Sequence, residues 1–115
     1  MENMPDSVRE LLYKFAKDMR GTFGKDLCSV VIYGSYARGD YTADSDIDVM
    51  ILVDISEEDI KKYKDDVADC AFEYLMKYGI DISPVIKNKD HFDYWVDNLP
   101  YYRNIRDEGV VISTR

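Results

Sequence analysis

The chain has 115 residues, 46% hydrophobic and 33% charged, a balance that fits one globular domain over 1–115 and leaves too little material for two cores. No apolar run nears the ~20 residues of a bilayer helix, and the acidic opening, residues 1–6, lacks the apolar centre of a secretory signal, so a cytoplasmic protein with no membrane partner is expected. The net charge of −8 repels a nucleic-acid backbone; it does not oppose nucleotide binding, because clustered carboxylates can hold a cation and invert the local field.

Over 7–19 the apolar residues Val8, Leu11, Leu12, Phe15 and Met19 keep the spacing of one helical stripe. Ser7 and Glu10 stand at capping-box distance, and Gly21 and Gly24 supply stop signals. Residues 27–33 form a β-branched apolar run that predicts a strand buried on both faces, ended by Gly34. A short helix is expected over 35–38. A second strand follows over 46–53, and its wholly apolar second half belongs in the middle of a sheet.

Ser56 caps the next segment, with Asp59 three residues on. Ile60, Tyr63, Val67, Cys70, Ala71, Tyr74, Leu75 and Tyr78 then predict one long helix with its apolar face inward, closed by Gly79. Residues 80–86 alternate, with Ile80 and Ile82 on one face and Asp81 and Ser83 on the other, and Pro84 places this strand at an edge. Phe92, Trp95, Val96 and Leu99 mark a short helix, and a second restarts at Pro100 with Tyr101, Tyr102 and Ile105. Gly109 ends it before a last strand at 110–112. The order predicts an α/β domain with a small mixed β-sheet flanked by helices. Cys28 and Cys70 lie far apart in the chain and read as two reduced thiols.

The chemistry concentrates at 34–48. Asp46 and Asp48, two apart at the start of a strand, leave the same face about 6.5–7 Å apart. Unpaired, two such carboxylates repel and one resists ionisation; a shared Mg²⁺ removes the conflict, since that ion takes one or two carboxylates plus phosphate and water. Gly34 lets the backbone turn close to a ligand, and Ser35 offers a hydroxyl and a backbone N–H at a helix start, a natural phosphate site. Four specified residues at this spacing arise by chance on the order of once per thousand such chains. Asp81, interrupting an apolar strand, is the best third carboxylate, and Asp54 sits at the wrong end of its strand. Arg38 has two roles open to it, phosphate neutralisation or pairing with Asp40 or Asp44. His91 reads as a surface residue, and Tyr94, Tyr101 and Tyr102 are either core or a partner-binding face.

Gly34 and Ser35, ten residues, then Asp46-Ile47-Asp48 resembles the signature of the DNA polymerase β-like nucleotidyltransferase superfamily. The fuller text Gly34-Ser35-Tyr36-Ala37-Arg38-Gly39 with Ser45-Asp46-Ile47-Asp48 is similar to its smallest branch, the MNT (minimal nucleotidyltransferase) family, and Asp81 and the ending from Asn98 to Val111 extend the likeness. The resemblance implies the polymerase β-like fold and the transfer of AMP from ATP to a hydroxyl, with release of pyrophosphate. It implies that Asp46 and Asp48 hold one or two Mg²⁺ ions, that Asp81 completes the metal site and takes the acceptor's proton, and that Gly34 and Ser35 hold the β- and γ-phosphates. It also implies a partner, since many MNT proteins are antitoxins that silence a HEPN-domain ribonuclease toxin by adding AMP to a tyrosine. Two other readings are carried beside it: a transferase acting on a small molecule of the aminoglycoside type, and an antitoxin that works by binding alone.

Overall fold

Two apolar runs, β1 (Leu27–Tyr33) and β2 (Ile47–Val53), pair antiparallel at the centre of a four-stranded mixed sheet. A computed structural model describes residues 4–114. Beside β2 lies β3 (Ile82–Asn88), parallel to it, and beside β1 lies β4 (Val110–Thr114), antiparallel, giving the order β3-β2-β1-β4. The two strands without a polar face therefore take the two inner positions. The strand that carries Pro84 takes an edge, where a missing N–H costs least.

Helices cover both faces. On one side α1 (Asp6–Phe23) and α4 (Lys64–Tyr78) bury Leu12, Phe15, Met19, Val67, Ala71 and Tyr74 against Val30, Ile32, Val49 and Ile51. On the other side α5 (Lys89–Trp95) and α6 (Pro100–Glu108) bring Phe92, Tyr102 and Ile105 onto Val31, Met50 and Leu52. The alternation along β1 and β2 divides their side chains between these two cores. Among the described residues no helix is long and apolar enough to cross a membrane.

The elements differ from expectation in four places. First, Ser7 is not a cap: α1 starts at Asp6, the cap position is Pro5 with no side-chain bond, and Asp6 pairs instead with Arg9. Gly21 lies inside this helix, and Gly24 closes it. Second, the long helix is two, α3 (Glu57–Ile60) and α4, joined by tight bonds from Lys62 N–H to Asp59 C=O and from Tyr63 N–H to Ile60 C=O. The break tucks Ile60 fully into the core and sets Tyr63 against Phe23. Ser56 does cap α3, accepting from Asp59 N–H. Third, Leu75 and Tyr78 are not core residues; they are exposed on α4, as are Phe72 and Met76. Fourth, β3 covers Ile82–Asn88 rather than 80–86, so Ile80 and Asp81 precede it. Of Tyr94, Tyr101 and Tyr102, open in the sequence to core or partner face, Tyr102 is core, packed on Phe92, and the other two are exposed.

Candidate active site

β1 stops because Gly34 leaves it at φ +72°, ψ −152°, a conformation open to glycine and strained for any other residue. The short helix α2 (Ser35–Arg38) begins at once, with Arg38 N–H bonded to Gly34 C=O, and Gly39 ends it in the left-handed region. The return loop is pinned twice. Tyr36 and Tyr41 stack at 4.1 Å with nearly parallel rings, and Thr42 N–H donates to Ser45 Oγ. The chain thus reaches β2 beside the point where it left β1, and Tyr33 comes to stand opposite Asp48.

Asp48 lies against the turn. A Cβ on Gly34 would land on Asp48 Oδ2 and 3.2 Å from its Cγ, so only a residue without a side chain fits there. Burial, then the charge of Asp46, raise the Asp48 pKa above the usual carboxylate range, and Arg38 opposes this. Asp46 and Asp81 both precede their strands, and Ile47 N–H donates to Asp81 C=O. The Asp81 pKa is also raised, first by a side-chain hydrogen bond with Asp46, then by burial and by the Asp46 charge. Asp46 is therefore the neighbour shared by the other two carboxylates.

Among the described residues no group of three or more histidine, cysteine or acidic side chains is gathered as a ready metal cage. Mg²⁺ does not need one, since it usually takes one or two carboxylates and fills its octahedron from phosphate and water. Asp48, its pKa raised by burial and then by the Asp46 charge, and Asp81, its pKa raised first by a hydrogen bond with Asp46, stand with Asp46 near the Gly34 turn as an oxygen donor set that fits such an ion.

Arg38 pairs with Asp40 (3.3 Å) and with Glu108 (3.4 Å), and not with Asp44. Glu108 stands at the far end of α6, and no local sequence signal connects it to Arg38. Tyr33 is a further neighbour of the site that sequence reasoning missed. Its hydroxyl bonds to that of Tyr101 at 2.7 Å, and burial followed by this bond keeps it protonated. The alternation of β1 across from β2 is the available clue. Asp54 sits at the opposite end of the sheet, its N–H bonded to Asp26 C=O. His91 is exposed on α5, within reach of the Tyr102 hydroxyl.

A cleft of about 290 Å³ opens from Asp46 and Asp81 between α4 and β3, walled by Ala68, Ala71, Phe72, Leu75 and Pro84. A larger cavity, about 500 Å³, lies under α5 and α6 among Cys28, Val31, Leu52, Phe92 and Ile105, and includes none of the three carboxylates.

Residues 12–112 match the family model described as a nucleotidyltransferase domain. Two proteins of Methanocaldococcus jannaschii provisionally named protein adenylyltransferases are similar over most of their length. One is 32% identical, covering 96% of this chain and 98% of its own, and the other is 39% identical, covering 83% and 94%. Among solved structures, one provisionally described as a nucleotidyltransferase of Sulfolobus solfataricus superposes with a TM-score of 0.62 at 20% identity, over 92% of this chain and 79% of its own. A toxin-antitoxin structure with AMP-PNP superposes with a TM-score of 0.56 at 14% identity, over 90% and 73%. Both share the fold.

Proposed function

Because the chain belongs to the nucleotidyltransferase domain family and is a nucleotidyltransferase, we propose that it moves AMP from ATP to a hydroxyl of a protein partner. The observation that carries this reading is the meeting of Gly34, Asp48, Asp46 and Asp81 at one end of β1, β2 and β3. The names of the relatives support a protein acceptor. The likeness to a toxin-antitoxin structure supports a place in a toxin-antitoxin pair; the antitoxin role, a HEPN-domain toxin as partner and its tyrosine as acceptor rest on the resemblance of the 34–48 motif to the MNT family.

The backbone N–H of Ser35, freed by the glycine turn, binds phosphate oxygen, and the Ser35 hydroxyl adds a second donor. Asp46 and Asp48, with Asp81, would hold Mg²⁺, which would supply charge neutralisation for the triphosphate and Lewis-acid polarisation of the α-phosphate. Arg38, held at the rim by Asp40 and Glu108, adds a positive charge for the departing pyrophosphate. The acceptor oxygen attacks the α-phosphorus in line. A new P–O bond forms, the bond to the β-phosphate oxygen breaks, and Asp81 takes the acceptor's proton. The protein contributes position and charge rather than a covalent intermediate.

The test is incubation with Mg²⁺ and ATP labelled at the α-phosphate, with and without the product of the neighbouring gene. Label on that protein, lost with Asp46→Asn, is the expected result. Silencing of the partner without label would replace transfer by docking, and label on a small molecule would replace the protein acceptor.

A further inference from the structure

The face of α4 turned to solvent is unusual for a chain this acidic. Phe72 is 59% exposed and Met76 70%, and with Leu75 they make an apolar patch. Phe72 and Leu75 also wall the cleft that ends on Asp46 and Asp81, so the patch and the carboxylates share one groove. Exposed apolar surface continuous with a functional cleft marks a binding surface rather than scattered leftover area.

The groove has a definite character. Its walls are Ala68, Ala71, Phe72, Leu75 and Pro84, its inner end is carboxylate, and its volume of about 290 Å³ takes a single side chain rather than an extended ligand. A long apolar body with a hydroxyl at its tip matches that shape better than a short serine. The surroundings are anionic: Asp69 and Glu73 lie one helical turn from Phe72 and Met76, and Asp65 continues the same stripe. Of the lysines on α4, Lys77 lies over the Tyr78 ring at 6.0 Å, and Lys64, with Lys87, borders the next cleft along α4 and β3, which shares Ala68 and Pro84 with this one and lies away from the carboxylate end. Asp46 is also the charged neighbour of Asp48, which lies against the Gly34 turn proposed to take phosphate.

We propose that the groove between α4 and β3 is the docking surface for the acceptor. Its occupant is a cationic protein segment that lays an aromatic hydroxyl residue against Phe72, Leu75 and Pro84 and packs flanking residues on Met76. Acceptor and nucleotide then meet at Asp46, which borders the groove and neighbours Asp48 at the Gly34 turn. The second exposed apolar group, Tyr94, Trp95, Leu99 and Tyr101 at the α5–α6 elbow, lines no part of the cleft that holds Asp46 and Asp81. This inference rests on the transferase reading for the role of the segment, and its test separates the two.

The probe is a fluorescein-labelled peptide with one tyrosine between pairs of lysines, titrated with the full chain in the presence of Mg²⁺ and a non-hydrolysable ATP analogue. It binds at least tenfold more tightly than the same peptide with glutamates, and Phe72→Ser and Met76→Ser each weaken it at least fivefold with the ATP-analogue affinity unchanged. Phe72→Lys makes the glutamate peptide bind more tightly than it binds wild type, a gain that a lost fold could not produce. Equal peptide affinity in wild type and both serine variants, or no peptide binding, overturns the proposal. Weakening by Tyr94→Ser or Trp95→Ser instead moves the docking surface to the elbow and overturns it too. If the Phe72 dependence holds while no α-label is ever transferred, the transferase reading fails and the groove stands.

Discussion

Asp48 Oδ2 occupies the space that a side chain on Gly34 would need. The turn that ends β1 and the first carboxylate of β2 are thus packed together, and a side chain at Gly34 must displace the Asp48 carboxylate. Gly79 has the same φ of +72°, but a Cβ there would meet nothing within 4 Å, which makes it the natural control. Gly34→Ala is expected to cost about 1–3 kcal/mol in urea unfolding and to lower nucleotidyl transfer at least a hundredfold. Gly79→Ala is expected to cost about 1 kcal/mol and leave transfer intact. Wild-type transfer by Gly34→Ala would show that the close approach is incidental.

The join between α1 and α4 gives a stability prediction without a catalytic one. Tyr74 is buried, packs edge-on against Phe15 and donates its hydroxyl to Asp18 at 2.5 Å. Tyr74→Phe removes a hydrogen bond to a charged group, and thermal or urea unfolding should register a loss of about 1–2 kcal/mol with transfer unchanged. Phe15→Ala, emptying a fully buried site, should cost about 3–5 kcal/mol.

Cys70 carries a pH prediction. Burial first, then the charges of Asp18 and Glu73 and a hydrogen bond with Asp18, push its thiol up to about 11. The folded state holds this proton where an unfolded cysteine has lost it, so the group's contribution to stability is complete below the unfolded pKa and fades as pH rises from there to about 11. At pH 8 only about one thiol in a thousand is ionised, so iodoacetamide should modify Cys70 far more slowly than a free cysteine. The rate should climb until pH is about 11, and Asp18→Asn should bring that midpoint down. A midpoint near that of a free cysteine, about 8.5, would contradict the arrangement.

Much of this arrangement is legible in the chain. β1 and α2 match expectation to the residue, because a β-branched run, a glycine and a serine leave little freedom in 27–38. The inner place of β2 follows from its missing polar face, and the edge place of β3 from Pro84. What the chain conceals depends on contacts distant in sequence. The split between α3 and α4 keeps helical spacing across a tight turn, so periodicity alone cannot show it. Ser7 loses the cap because the helix begins one residue earlier, where Asp6 meets Arg9. Leu75 and Tyr78 depart from expectation for one reason: burial of an apolar residue is decided by what packs over it. Asp46 and Asp81 stand out in the sequence as candidate ligands, but their contact through strands paired in parallel has no local signal. Neither does the link from Arg38 to Glu108, 70 positions away.

Arg38 offers a way to divide binding from structure. Its two ion pairs are exposed, and such pairs contribute about 0–1 kcal/mol. Arg38→Ala should therefore leave the unfolding midpoint almost unmoved while raising KM for ATP roughly tenfold, the scale of one charge-assisted phosphate contact. Glu108→Gln, which removes one of the partners holding the guanidinium, should have a smaller effect in the same direction. A large stability loss with KM unchanged would make Arg38 a structural residue.

The central claim is that Asp46, Asp48 and Asp81 around the Gly34 turn form a nucleotidyl-transfer centre. Parallel reactions with ATP labelled at the α- or the γ-phosphate, run for wild type and Asp48→Asn with Mg²⁺ and the neighbouring gene product, test it most directly. The account predicts label on the acceptor from the α-position alone, at least a thousandfold weaker in Asp48→Asn, with folding preserved by circular dichroism. Label from the γ-position, or undiminished α-transfer by Asp48→Asn, would contradict it.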